Sequence, residues 1–196
     1  DDALTGGNAG GIGDDPNSVN ASGTLAHSYG ADGAGSVAYL TTGAPAGFSY
    51  ELSGTDLLVK QGSVTVMTLT VNATTGAYTV TQNAPISHPA GLDENNVQFT
   101  INYRVTDKDG DTVDGTLSID VDDDTPTVSA NNLVQLDDDA LTGGNPGGTG
   151  DVNPDTANTS GTLAHSYGAD GAGSVAYLTS GAPQGFSYEL SGTDLL

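Results

Sequence analysis

The sequence predicts an all-β protein built as an antiparallel sandwich, and three observations carry that prediction. Val, Ile, Thr, Tyr and Leu are gathered into short runs that alternate with polar residues. Gly, Asn and Asp punctuate those runs at intervals of roughly 8–12 residues, the spacing of strands joined by turns. No stretch carries the 3.6-residue period of an amphipathic helix.

Taken in order, strands are expected at 23–29, 36–41, 47–52, 56–60, 63–71, 77–82, 97–106, 113–121 and 127–136. The clearest run is 97–106, where Val97, Phe99, Ile101, Tyr103 and Val105 share one face and polar residues the other. That period of two belongs to a strand with one buried side. The run at 63–71 repeats the pattern, beginning with Val64 and Val66 inward. Between 71 and 77, Asn72 and Gly76 supply a hairpin turn. Within the sandwich class an immunoglobulin-like arrangement is expected. It lacks the disulfide and core tryptophan of antibody domains, since the chain has neither Cys nor Trp.

Charge bounds the partners. The 196 residues include 25 acidic and three basic ones, for a net charge of −22, so the folded chain repels itself throughout. Lys60, Arg104 and Lys108 all lie in the middle third, which excludes nucleic acid and anionic membrane surfaces as partners. No apolar run reaches the roughly 18 residues of a spanning helix, so membrane insertion is not expected, and no signal peptide is visible. Divalent cations are the expected counter-charge. With no cysteine to form cross-links, metal binding coupled to folding is the expected substitute.

The two ends of the chain repeat each other. Residues 21–58 recur as 159–196 with 35 of 38 positions identical, and DDALTGGNAGGIGDD at 1–15 returns as DDALTGGNPGGTGDV at 138–152. The offset is 137 residues before a single insertion and 138 after it. Solenoid units run at about 20–50 residues; this period has the size of a whole domain. The boundary is placed where three aspartates meet Thr125 and Pro126, a dipeptide that favours an extended connection. The expected domains are thus 1–124, whose first strand is missing, and 125–196, the N-terminal half of the next unit. The missing strand is the counterpart of TVSANNLVQL at 127–136. Neighbouring units are the expected partners, and their near-identity predisposes strands to exchange between chains.

The sharpest chemical signal is VTDKDGDTVDG at 105–115, with carboxylates at Asp107, Asp109, Asp111 and Asp114 and Gly110 to turn the chain. Calcium takes six to eight oxygens, and aspartates this close on one loop supply several. The spacing departs from an EF-hand, because Thr112 stands where that loop needs Gly and no helices flank it. A hairpin calcium site is expected instead. A second group is Asp120, Asp122, Asp123 and Asp124, followed by Asp137, Asp138 and Asp139, with Asp1 and Asp2 matching the last two in the first unit. Carboxylates packed at a junction repel unless neutralised, so these too are expected to hold calcium. GGIGDD at 10–15 opens like the calcium nonapeptide of β-rolls. Asn17 then stands where an apolar residue is needed and Val152 replaces the aspartate in the second copy, so a Gly-rich loop is expected.

The DDDTPTV junction, the DDALTGG opening, the GTLAHSYGADGAG and FSYELSGTDLL blocks and the YRVTDKDGDTVDGTLSIDVDDD ending, in that arrangement, resemble the long tandem repeats of giant RTX adhesins exported by type I secretion. The resemblance implies an extender module: a calcium-stiffened sandwich that holds a distal binding domain away from a bacterial cell. It also implies secretion in an unfolded state, folding in calcium at the cell surface, and ligand roles for Asp107, Asp109, Asp111 and the aspartates at 122–124.

Two other function classes are weaker. An enzyme would have to use His27, Ser28 and Asp32, which lie within six positions on a Gly-rich strand and turn; that is proximity in sequence, without the geometry of nucleophile, base and orienter. His88 beside Pro89 reads as a loop residue. A calcium-dependent carbohydrate-binding module could stack sugars on Tyr29, Tyr39, Tyr50, Tyr78 and Tyr103. Tyr39 and Tyr103, however, fall in alternating strands and are expected in the core.

Overall fold

The computed structural model of the chain describes residues 1–10, 13, 16, 19–89, 91, 95–145 and 147–196. It is an antiparallel all-β protein in which two sheets face each other across one core. In chain order the strands of the first unit are β1 (Ser22–Thr24), β2 (Ala34–Tyr39), β3 (Phe48–Ser53), β4 (Asp56–Gln61), β5 (Val64–Val71), β6 (Ala77–Gln82), β7 (Val97–Asp107) and β8 (Thr112–Val121). One sheet has the order β1-β6-β5-β4-β3 and the other the order β2-β7-β8.

Alternation explains the packing. On β7, Phe99, Ile101, Tyr103 and Val105 point inward and are buried, facing Leu57 and Val59 of β4 and Leu69 of β5 in one continuous cluster. Every buried hydrophobic residue among those described lies between Leu25 and Val121. The β5–β6 turn forms as its sequence predicts: the Thr74 and Thr75 amides donate to Asn72 Oδ1 at 3.0 Å, and Gly76 takes a φ of 68° that a side chain would resist.

The expected inward placement of Val64 is corrected. Val64 is 52% exposed, while Val66 and Met67 are both buried. A bulge explains why Val66 and Met67 are both buried: Val59 pairs with Met67 and Lys60 with Thr65, so Val66 is an extra residue. Val64 pairs with Gln61 on the last rung of the β4–β5 ladder, where its side chain is left open to solvent.

The second unit is sparse. It contributes β9 (Thr127–Val128) paired with β10 (His165–Ser166), and β11 (Leu190–Ser191) paired with β12 (Asp194–Leu195). The expected strand at 127–136 is regular only over its first two residues, with an isolated bridge between Gln135 and Ala157 further on. Val175, Tyr177, Phe186 and Tyr188 are 47%, 47%, 74% and 37% exposed, whereas Val37, Tyr39 and Tyr50, counterparts of three of them, are 0%, 2% and 8% exposed. The residues are the same. What differs is that, among the described residues, no strands equivalent to β5, β7 and β8 lie against the second set.

Candidate metal centres

The most buried charges lie where the two units join. β8 ends at Val121, and the aspartates that follow run against the opening turn of the chain. In that turn the Leu4 amide donates to Asp1 O and the Gly7 amide to Leu4 O, both at 3.0 Å. A Cβ on Gly7 would sit 2.3 Å from Asp2 O, so only glycine closes it. The same turn recurs at Asp138, Leu141 and Gly144, with a Cβ on Gly144 equally 2.3 Å from Asp139 O.

Asp1, Asp2, Asp123 and Asp124 are 4%, 7%, 9% and 6% exposed. Asp1 is held by Gln82 Nε2 on one oxygen and by the Ile86 amide, at 3.0 Å, on the other; its own nitrogen donates to the Asp122 carbonyl. Asp123 accepts from Asn95 Nδ2 at 3.2 Å and from the Asp124 amide at 2.9 Å. Asp124 accepts from the amides of Asn8 at 3.1 Å and Ala169 at 2.5 Å, which ties the opening turn to the second unit. Among the described residues the lysine and arginine ion pairs are Lys60 with Glu51 and Arg104 with Asp114. No lysine or arginine of those pairs reaches the junction.

His88 enters this site although the sequence reads it as a loop residue. Its Nδ1 donates to the Asn95 carbonyl at 2.6 Å. The buried Nε2, without a hydrogen-bond partner, lies 3.7 Å from Asp1 Oδ2. Oxygens of Asp1 and Asp123 and a nitrogen of His88 fall within 4.8 Å of one another. In the neutral ring a lone pair on Nε2 faces carboxylate oxygens, an arrangement that a cation between them relieves. Asp170, brought in from the second unit, responds to the same crowding. Loss of water around its carboxyl, then the charge and hydrogen bond of Asp123, push it up to about 6, with Asp124 adding and His88 opposing.

The hairpin between β7 and β8 forms a second cluster from Asp32, Asp107 and Asp109, again within 4.8 Å. Asp107 Oδ1 accepts the amides of Gly110 at 3.0 Å and Asp111 at 2.8 Å, which fixes the loop. The hydrogen bond between Asp107 and Asp109 holds Asp107 below the usual carboxylate range and pushes Asp109 above it. Asp32 arrives because β2 pairs with β7, Ala34 lying opposite Asp107. Of the four residues expected on this loop, Asp111 contributes backbone, and Asp114 is engaged elsewhere. Arg104 Nε and Nη2 grip both Asp114 oxygens at 2.7 and 2.9 Å, which holds its carboxyl low.

A third cluster joins Asp137, Asp139 and Asp151 within 4.8 Å. Asp151 Oδ1 is buried without a hydrogen-bond partner. Asp139 is pushed above the usual range, first by burial and then by the charges of Asp137, Asp151, Asp155 and Asp138. Asp138 is exposed. Asp120 accepts from Asn96 Nδ2 at 3.0 Å, and Asp122 contributes its carbonyl at the junction. The 10–15 loop lies largely outside the described residues, Asp14 and Asp15 included.

The donor sets fit a hard dication. Two of the three clusters are carboxylate only, the chemistry that suits calcium, magnesium or manganese; the junction adds an imidazole, a donor more usual for transition metals. Asp32, His88 and Asp170 escaped sequence reading because each reaches its cluster through the fold, from a distant part of the chain, and Asp151 because a Gly-rich loop separates it from Asp139. The copy of Asp14 at Asp151 was the only available hint.

The residues that an enzyme reading would need, His27, Ser28 and Asp32, are engaged otherwise in part, Asp32 in the hairpin cluster. His27 Nδ1 bonds the Leu25 carbonyl at 2.6 Å and its ring packs edge-on to Tyr29 at 4.9 Å; its copy His165 repeats both contacts at 2.6 and 4.7 Å.

No curated protein and no solved structure matches the chain. A family model does, over residues 1–121, the span that ends with the last residue of β8. By that match the chain belongs to the family described as Domain of unknown function (DUF5801).

Proposed function

We propose that the chain is a calcium-stabilised structural extender of a secreted bacterial surface adhesin, repeated in tandem to project a distal binding domain, and that it is not an enzyme. The observation that carries this reading is the junction: four buried aspartates, drawn from the start of one unit and the connection to the next. A divalent cation there would offset about half of that charge and stiffen the joint between units. The resemblance to tandem repeats of giant RTX adhesins supports export by type I secretion and folding in the calcium found outside the cell.

The strand order supports an immunoglobulin-like sandwich. β1-β6-β5 and β2-β7-β8 correspond to strands B-E-D and C-F-G of that fold, with β3 and β4 as an added hairpin and no counterpart of its first strand. The carbohydrate-binding alternative gains little, because Tyr39, Tyr50 and Tyr103 are buried and spend their hydroxyls on the carbonyls of Thr70, Thr100 and Ala26.

Small-angle scattering of the full chain, in a few millimolar calcium and again in chelator, tests the reading. Calcium is expected to narrow the distribution of end-to-end distances to that of one stiff rod. Identical profiles, or calcium-dependent capture on a glycan array, would point away from a spacer.

A further inference from the structure

One buried donor at the junction is left unused by an ion that takes oxygen alone. The His88 side chain is 2% exposed and that of Asp1 is fully buried, yet His88 Nε2 has no hydrogen-bond partner. The ring is fixed from its other side, where Nδ1 donates to the Asn95 carbonyl at 2.6 Å, which leaves Nε2 as the nitrogen with a lone pair. Asn95 also shapes the loop: its Nδ2 donates to the carbonyls of Pro89 at 3.1 Å and Gly91 at 2.9 Å and to Asp123 Oδ2 at 3.2 Å. One residue thus sets both the imidazole and a carboxylate near it. An imidazole whose second nitrogen is held by a backbone carbonyl is the common setting of a metal-bound histidine.

Distance separates a proton from a metal. Nε2 lies 3.7 Å from Asp1 Oδ2, beyond the roughly 3.2 Å limit of an N–H···O hydrogen bond. A zinc ion, with bonds of about 2.0–2.1 Å at the tetrahedral angle, holds its ligands about 3.4 Å apart, so a small turn of one side chain seats it. Nε2 and oxygens of Asp1 and Asp123 already fall within 4.8 Å of one another. Asp1 Oδ2 accepts from the Ile86 amide and keeps a second lone pair for an ion. The turn that presents Asp1 is a property of its sequence, because it closes in the same way inside the chain, with the Leu141 amide on Asp138 O at 3.0 Å. Asp170 of the second unit lines the same cavity as His88 and Asp123.

We propose that Asp1, His88 and Asp123 form a mixed nitrogen and oxygen site for a transition dication of the zinc class, distinct from the calcium sites of the chain, with Asp170 of the second unit completing its shell. The two ions sort by donor: calcium takes oxygens, whereas imidazole suits zinc and its transition-metal neighbours. Charge leaves room for both, since one dication offsets only half of the four buried aspartates. The inference rests on the reading that cations close the junction and adds the class of ion that enters beside His88. Because its ligands come from the opening turn, the loop after β6, the segment after β8 and the next unit, the ion ties these parts together.

The test takes the full chain, stripped of metal with chelator, returned to a few millimolar calcium and titrated calorimetrically with zinc chloride. One zinc per chain is expected to bind without displacement by calcium. His88→Gln should weaken it at least about a hundredfold, the upper end of what loss of an outer partner alone costs, while His27→Gln with His165→Gln binds like wild type. In the wild-type chain, nitrogen-15 spectra should show His88 Nε2 shifting as zinc is added with Nδ1 still protonated, a readout that holds even if His88→Gln does not fold. The proposal is overturned by zinc that calcium displaces, by a His88→Gln chain that binds like wild type, or by an Nε2 signal that zinc leaves in place. Melting curves in calcium read the other claim separately. Calcium stabilisation without zinc binding overturns this site alone, and zinc binding without calcium stabilisation overturns the calcium reading alone.

Discussion

At the scale of single residues, spacing in the sequence marks acidic loops without saying which of their carboxylates the fold brings together. Asp107 and Asp114 look equivalent on the page. In the fold one organises its loop and faces two carboxylates, while the other is clamped across the ladder by Arg104, its directly paired neighbour. Calorimetric calcium titration should therefore separate them: Asp107→Asn is expected to weaken the hairpin site at least about tenfold, in line with loss of a charged ligand, and Asp114→Asn to leave it unchanged. Equal effects would mean that the Arg104 pair opens on binding. The tyrosines give a test independent of metal. Burial pushes the Tyr50 phenol up to about 12 and raises Tyr39 as well, with Tyr78 and Asp56 adding to the latter. A phenol whose folded pKa is raised lends stability that is complete below its unfolded value near 10 and is lost as pH climbs through the folded value. Part of the phenolate absorbance, that of Tyr39 and Tyr50, should accordingly appear only as the chain unfolds in alkali. A single step near 10 would contradict the packing.

At the scale of elements, the strands from β2 to β8 were legible because a half-buried strand writes its burial as alternation. The bulge at Val66 was not, since one extra residue leaves both flanking runs looking regular. The cross-strand fit of β7 and β8 was also hidden in sequence. Gly115 lies opposite Tyr103, and a Cβ there would meet the ring at 2.5 Å. Gly115→Val should force Tyr103 off the Ala26 carbonyl and cost about 1–3 kcal/mol, the usual range for overpacking. Denaturant unfolding would show it as a lower midpoint at unchanged slope; an unchanged midpoint would mean that the ring has room to move. The long strand expected at 127–136 illustrates the opposite limit. Its pattern is sound, but a strand is a property of a pair, and here it has only a short partner.

At the scale of the whole molecule, the repeat carried the most information, because it gave the period and, through two copies of one sequence in different surroundings, a comparison internal to the chain. The clusters were legible as acidic segments only. Their membership depends on β2 meeting β7, on the opening turn meeting the end of β8, and on residues 165–170 folding back against the junction, none of which leaves a trace in local spacing. The central claim is that a chain of net charge −22 holds its joints compact by binding divalent cations. Thermal unfolding in saturating calcium and in chelator measures it directly. If only the folded state binds, each site held at a hundredfold above its dissociation constant adds about 2.7 kcal/mol, a rise in midpoint on the order of 10 °C for a domain of this size. Superimposable melting curves in calcium and chelator would contradict it.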